Sequence, residues 1–142
     1  MADTSLTRYL PDEAATLSFG AELLEFLAGA PLVFLYGQLG AGKTTLVRGI
    51  LRALGHEGSV KSPTYTLLEP YEIGGRTIYH FDLYRIGDSE ELDFIGIDEL
   101  MDADAMKLVE WPERASARLP EPDVVIRLSL EGEGRRVEVS LR

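Results

Sequence analysis

The sequence predicts a single compact α/β domain over residues 1–142, with a central mixed β-sheet flanked by helices. Three observations predict it. The run Leu32–Tyr36 is continuously apolar, as expected for a strand buried on both faces. A glycine-rich turn and a helix with one apolar face follow it directly. Later segments alternate apolar and polar residues around short turns, which adds antiparallel pieces to the sheet. The scale fits one domain: 142 residues, 45% apolar, 27% charged.

Taken in order, residues 5–10 are expected to form a short strand. Pro11-Asp12-Glu13 reads as a helix start with acids in its first turn. The helix should run from Ala14 to Leu27, with Leu17, Ala21, Leu24 and Ala28 on one face, and end at Gly29 and Pro31. The strand Leu32–Tyr36, the turn Gly37–Gly42 and a helix Lys43–Leu54 follow. That helix should face Leu46, Val47, Ile50, Leu51 and Leu54 inward and stop at Gly55. Gly58–Pro63 is a loop. Thr64–Ile73 and Arg76–Leu83 read as strands joined at Gly74-Gly75. Gly87–Asp104 is helical or irregular. Ala105–Val109 is a second buried strand leading to Glu110-Trp111-Pro112, and Glu113–Leu119 a helical turn. Val124–Leu130 and Arg135–Leu141, split by Glu131-Gly132-Glu133-Gly134, form a terminal hairpin.

Several function classes close early. The chain has no cysteine, so a disulfide framework, a thiolate zinc site and a Cys nucleophile are excluded. Two histidines are too few for a His-rich metal site. No apolar stretch approaches the ~20 residues of a membrane span, and the first residues lack a basic-then-apolar leader pattern. A cytoplasmic protein without membrane contact is expected. The net charge of -10 argues against nonspecific binding to a phosphate backbone, which needs a basic surface.

The stretch Gly37-Gln38-Leu39-Gly40-Ala41-Gly42-Lys43-Thr44, continued by Thr45, fits G-x-x-x-x-G-K-[ST] at every fixed position. It lies between a strand and a helix, as this chemistry requires, and makes the expected fold P-loop NTPase-like. Glycines let successive backbone N–H groups face a phosphate. The helix adds its N-terminal dipole. Lys43 supplies a charge for the outer phosphates and Thr44 a hydroxyl for Mg2+. A second acid is needed for the metal, and Asp82 and Glu110 both end expected strands. His80 and Trp111 flank them, and both residue types are more often packed than functional. Guanine recognition by an N-K-x-D loop requires asparagine, and the chain contains none. Asp93-Phe94-Ile95-Gly96 matches D-x-x-G but is a four-residue decoy. ATP is therefore favoured. Arg85 is available as an arginine finger, although a surface ion pair is the plainer reading. A small-molecule kinase and a nucleotide-gated binding module are the competing classes.

The loop Gly37–Thr45, Ser62-Pro63-Thr64-Tyr65-Thr66, His80-Phe81-Asp82-Leu83-Tyr84-Arg85 and Val109-Glu110-Trp111-Pro112 occur in this order and spacing. Together they resemble the bacterial TsaE (YjeE) family of tRNA threonylcarbamoyladenosine biosynthesis proteins, over nearly the whole chain. The resemblance implies a small Mg2+-dependent ATPase, weak alone and stimulated by TsaB and TsaD. That complex forms N6-threonylcarbamoyladenosine next to the anticodon in tRNAs reading codons that begin with A. TsaD performs the transfer, and ATP turnover resets the complex, so tRNA is met only through the partners. By motif, Lys43 carries over as the phosphate lysine, Thr44 and Glu110 as Mg2+ ligands, and Asp82 as the acid that orients water or supports the metal. Ser62, Pro63 and Thr64 resemble a switch segment, and His80, Arg85 and Trp111 are grouped with it as switch- or partner-linked. The segment Pro11–Thr16 is expected to wall the adenine, and Arg135 or Arg136 to approach the nucleotide. Gln38 stands where the family often has Asp, a position that contributes mainly its backbone.

The acid surplus is concentrated. Between Arg85 and Lys107 there is no Lys or Arg, yet Asp88, Glu90, Glu91, Asp93, Asp98, Glu99, Asp102 and Asp104 lie there. A solvated acidic face is the plain expectation, and a partner-docking surface the sharper one.

Overall fold

The computed structural model describes residues 4–60, 63 and 66–142. The expected switch residues Ser62 and Thr64 lie outside the described residues. The elements run β1 (Thr4–Leu10), α1 (Glu13–Leu23), β2 (Leu32–Tyr36), α2 (Lys43–Leu54), β3 (Leu68–Ile73) and β4 (Arg76–Asp82). They continue through α3 (Ser89–Ile95), α4 (Ile97–Asp102), β5 (Met106–Glu110), β6 (Val124–Glu131) and β7 (Gly134–Leu141). A 3-10 turn, Leu24–Phe26, extends α1, and a second 3-10 segment covers Pro112–Arg118.

The strands form one sheet in the order β1-β7-β6-β2-β5-β4-β3. Its centre is parallel, with β2 between β5 and β6 and β4 beyond β5. Its flanks are antiparallel, β3 with β4 on one side and the β6–β7 hairpin with β1 on the other. The mixed sheet of the sequence expectation is therefore found. The four central strands all end at the same edge, which is where ligands bind in such sheets.

Helices cover both faces. Val33, Leu35, Ile78, Leu108 and Ile126 point to α1 and α2, and pack with Phe19, Leu23, Leu46 and Ile50. The alternate residues Leu32, Phe34, Phe81 and Val109 pack with Leu92 of α3 and Ile97 of α4. Period-two alternation therefore places every second residue of β4 and β5 on the α2 side. No helix among the described residues is long and apolar enough to cross a membrane.

The face expected for α1 needs correction. Its buried residues are Thr16, Phe19, Gly20 and Leu23, whereas Ala21 is exposed and Leu17 half-buried. Helix α1 is apolar around much of its circumference, so the apolar residues alone do not mark the inward side. The contact is made by glycines. A Cβ on Gly20 would lie 2.4 Å from the Gly49 carbonyl carbon, and one on Gly49 would lie 2.4 Å from the Leu17 carbonyl oxygen. Both obstacles are backbone, so α1 and α2 touch main chain to main chain.

The acids of the acidic segment are exposed, apart from the half-buried Glu91, as expected of a solvated face, and several are also held in place. Asp88 and Glu91 form a reciprocal capping box at the start of α3. Arg118 donates to Asp93 at 2.6 Å and to Asp98 at 3.4 Å. Lys107, buried in β5, donates to the Met101 carbonyl at 2.8 Å and the Ala103 carbonyl at 2.6 Å at the end of α4. Burial holds the Lys107 ammonium below the usual lysine range against the nearby Asp102, Asp123 and Asp104. The decoy Asp93–Gly96 ends α3, with Gly96 as its left-handed cap.

The glycine contact makes a stability prediction. Gly20→Ala should lower unfolding free energy by about 1–3 kcal/mol, the usual effect of overpacking. Urea unfolding should show a lower midpoint at an unchanged slope. An unchanged midpoint would mean that α1 does not sit against the α2 backbone.

Candidate functional site

The turn after β2 wraps into a cradle. Gly40 and Gly42 adopt φ of 80° and 104°, left-handed values that a side chain would strain. The amide of Ala41 donates back to Gln38 O at 3.1 Å, closing the turn. Helix α2 starts at Lys43, so its unpaired N–H groups and positive dipole end face the cradle. Arg135 of β7 braces the turn from behind. Its Nε donates to Ala41 O at 3.1 Å and its Nη2 to Gly40 O at 3.0 Å. These bonds hold two loop carbonyls on the outside.

Lys43 is buried, and its Nζ donates to Gly37 O and, at 3.1 Å, to Gln38 O. The same ammonium lies 4.3 Å from the centre of the Trp111 ring. Desolvation lowers its pKa from the ordinary 10.5, opposed by the carboxylates of Glu110, Asp82 and Glu113. A buried cation held by neutral carbonyls and an aromatic face suits an incoming anion.

The acids arrive on neighbouring strands. The β4–β5 register sets Asp82 beside Glu110, and alternation points both toward α2. Thr44 Oγ1 donates to Glu110 Oε2 at 3.0 Å, and lies 3.1 Å from Oε1. His80 Nε2 lies 2.6 Å from Glu110 Oε2, with side-chain exposures of 0% and 3%. Asp82 Oδ1 accepts from the Tyr84 amide at 3.1 Å, an Asx turn that aims the carboxylate back along the strand end. The Asp82 amide donates to Leu67 O at 3.0 Å, and the Leu67 amide to Pro63 O at 2.7 Å. The buried Pro63 is thus tied to Asp82 through two backbone bonds.

Lys43, Thr44, Asp82, Glu110 and Trp111 line one cleft of about 410 Å³, with Arg85 exposed at its rim. A smaller cleft of about 160 Å³ lies across the loop, lined by Asp12, Glu13, Thr16, Thr45 and Arg135. Arg136, the alternative to Arg135, is exposed and faces Glu131 and Glu138. Among the described residues no group of three or more His, Cys, Asp or Glu is placed to hold a metal. The Thr44–Glu110 pair is instead an oxygen-only, two-residue set. It fits a hard cation such as Mg2+, which keeps water and phosphate oxygens as its remaining ligands.

Comparison with known proteins gives the family and the fold. The family model described as "Threonylcarbamoyl adenosine biosynthesis protein TsaE" matches residues 10–137. The chain belongs to the TsaE family. Among similar proteins, the tRNA threonylcarbamoyladenosine biosynthesis protein TsaE of Haemophilus influenzae is 49% identical over 140 residues, covering 95% of this chain and 89% of the relative. That of Synechocystis is 38% identical over 118 residues, covering 80% and 74%. The crystal structure of Bacillus subtilis YdiB superposes with a TM-score of 0.82 at 25% identity, covering 99% of this chain and 88% of YdiB. The fold is P-loop NTPase-like.

Within this TsaE-family chain, the sequence brings the loop and both acids to one place. It assigns no role at the site to Tyr84, which stands in the His80–Arg85 block, or to Arg114. Trp111 is left-handed at φ 58° and ψ 47°, a conformation that costs a non-glycine residue about 1–3 kcal/mol. Its ring is held against Tyr84 at 4.8 Å, with Arg114 over both rings at 5.1 and 5.7 Å. The signal available was the Asp82–Tyr84 spacing, which suits an Asx turn.

Arg135 yields a prediction. Arg135→Ala should weaken nucleotide binding about 5- to 30-fold, from about 1–2 kcal/mol of lost charge-assisted bonding. Arg136→Ala should change it little. Calorimetric titration of ADP into both variants checks this; equal losses would remove the loop-bracing role.

Proposed function

We propose that this chain is a Mg2+-dependent ATPase acting with TsaB and TsaD in forming N6-threonylcarbamoyladenosine next to the anticodon of tRNAs reading codons that begin with A. Its ATP turnover resets the partner complex between rounds. The observation that carries the reading is the Thr44–Glu110 contact beside Asp82 and Lys43 in one cleft. The relatives' names supply the pathway.

On this reading the triphosphate lies over residues 37–45, with the loop amides and the α2 dipole facing its oxygens. Lys43 exchanges the carbonyls of Gly37 and Gln38 for β- and γ-phosphate oxygens, which compensates its desolvation. Thr44 and Glu110 offer the oxygens that hold Mg2+, which when bound offsets phosphate charge and orients the outer phosphates. Asp82, fixed by the Tyr84 amide, orients the attacking water and accepts its hydrogen bond. The base lies in the smaller cleft against Asp12–Thr16. Transfer of the γ-phosphoryl group to water depends almost wholly on positioning and charge. Lys43 is the buried cation of the cleft, and Arg85 stands at its exposed rim. A partner that supplies or closes a second cation over the γ-phosphate would raise the rate, by 10³–10⁵ where an arginine finger acts. Pro63, joined to Asp82 through Leu67, is the described part of the segment through which a partner reaches the water-orienting acid. The acidic chain surface leaves tRNA to the partners, and the place of action is the cytoplasm.

Two outcomes are expected. Hydrolysis by the isolated chain should be slow and should rise when TsaB–TsaD and tRNA are added, measured as phosphate release. Lys43→Ala and Asp82→Ala should both abolish it, while Asp82→Ala should keep affinity for a fluorescent ATP analogue. Fast turnover by the chain alone would overturn partner activation. Loss of binding in both variants would move Asp82 from catalysis to affinity. Label appearing on an added small acceptor would favour a kinase, and partner function surviving Asp82→Ala a nucleotide-gated module.

A further inference from the structure

His80 is a buried polar group that the proposed chemistry leaves unused. It sits on β4 between Ile78 and Asp82 on the α2-facing side, wholly buried. Leucine or valine would fill such a position without polar atoms to satisfy. Its Nε2 lies 2.6 Å from Glu110 Oε2, whereas its Nδ1 is buried without a partner among the described residues. A ring that leaves one nitrogen bare and brings the other into a short contact serves that contact. Two lone pairs would repel at 2.6 Å, so the ring hydrogen belongs on Nε2 and is donated to the carboxylate.

We propose that His80 is a positioning residue that fixes which oxygen of Glu110 is left for the cation. This rests on the cation reading of the Thr44–Glu110 pair. A carboxylate has two oxygens and about four lone-pair directions. His80 occupies Oε2 from the interior side. Oε1 is then the oxygen that the imidazole does not engage; it lies 3.1 Å from the Thr44 hydroxyl that would share the ion, and that hydroxyl also reaches Oε2 at 3.0 Å. Without the imidazole the carboxylate can rotate about its last bond. It can then swing toward the Lys43 ammonium, an arrangement that competes with the ion. Partners that orient a ligand from behind typically contribute 10- to 100-fold to metal affinity. The role is separate from phosphate binding, because His80 lies behind Glu110 and does not line the cleft.

The test is the Mg2+ requirement of ADP binding, with no turnover involved. ADP is titrated calorimetrically into the wild type, His80→Gln, His80→Asn and His80→Phe, in EDTA and at stepped Mg2+. The amide nitrogen of Gln can donate where Nε2 does, and that of Asn falls short. His80→Phe and His80→Asn should need 10–100-fold more Mg2+ for the same tightening of ADP, with metal-free affinity within about twofold of wild type. His80→Gln should recover most of the difference. If His80→Phe does not fold, the Gln and Asn pair decides. A wild-type Mg2+ requirement in His80→Asn overturns the role. Equal loss of metal-free and Mg2+-dependent binding in Gln and Asn alike also overturns it, in favour of packing. A wild type indifferent to Mg2+ overturns the cation reading itself, and this role with it.

Discussion

Glu110 is the constraint around which the described site is arranged. A carboxylate at the end of a fully buried strand carries a large desolvation cost unless it is hydrogen-bonded. Here it is bonded from two elements, by the hydroxyl at the start of α2 and the imidazole in the middle of β4. Those contacts exist only if β2, β5 and β4 are adjacent, parallel and in register. The β2–β5 pairing brings the phosphate loop to Glu110, and the β4–β5 pairing brings Asp82 alongside it. Strand order, register and chemistry are therefore one requirement, and a slip of one residue would turn every acid to the opposite face.

Around that anchor the site is set for charge it does not itself contain. Lys43 is desolvated and held by neutral groups, with three carboxylates near enough to favour its charged form. The same cleft holds the carboxylates of Glu110 and Asp82, with Lys43 as its buried cation. On the proposed reading, an anion carrying its own divalent ion engages both signs of charge at once. Trp111 contributes a face rather than a charge, and its left-handed backbone is what turns the ring from the strand direction onto Lys43.

Much of this was legible because the signals were local. The loop pattern, the buried run before it and the apolar face of α2 are each contained within a few residues, and each stands where it was expected. What was not legible depended on contacts across the chain. The inward face of α1 is marked by Gly20, and glycine carries no hydrophobic signal; only the position of Gly49 gives it meaning. The role of His80 depends on a partner 30 residues away and on strand register. The same holds for Arg135, 94 residues beyond the carbonyl it holds. Ser62 and Thr64 were singled out on resemblance and lie outside the described residues.

The brace from Arg135 has a consequence for the order in which the site is completed. A chain growing from its N-terminus has released the phosphate loop, Asp82 and Glu110 long before residue 135. At that stage β2 lacks its β6 neighbour, and two loop carbonyls lack the guanidinium that keeps them outward. The nascent protein thus carries all its chemical groups while the cradle is still unfinished. The last hairpin to emerge is what supplies the Arg135 bonds to the loop, so the geometry of the cradle is finished late, by the topology itself.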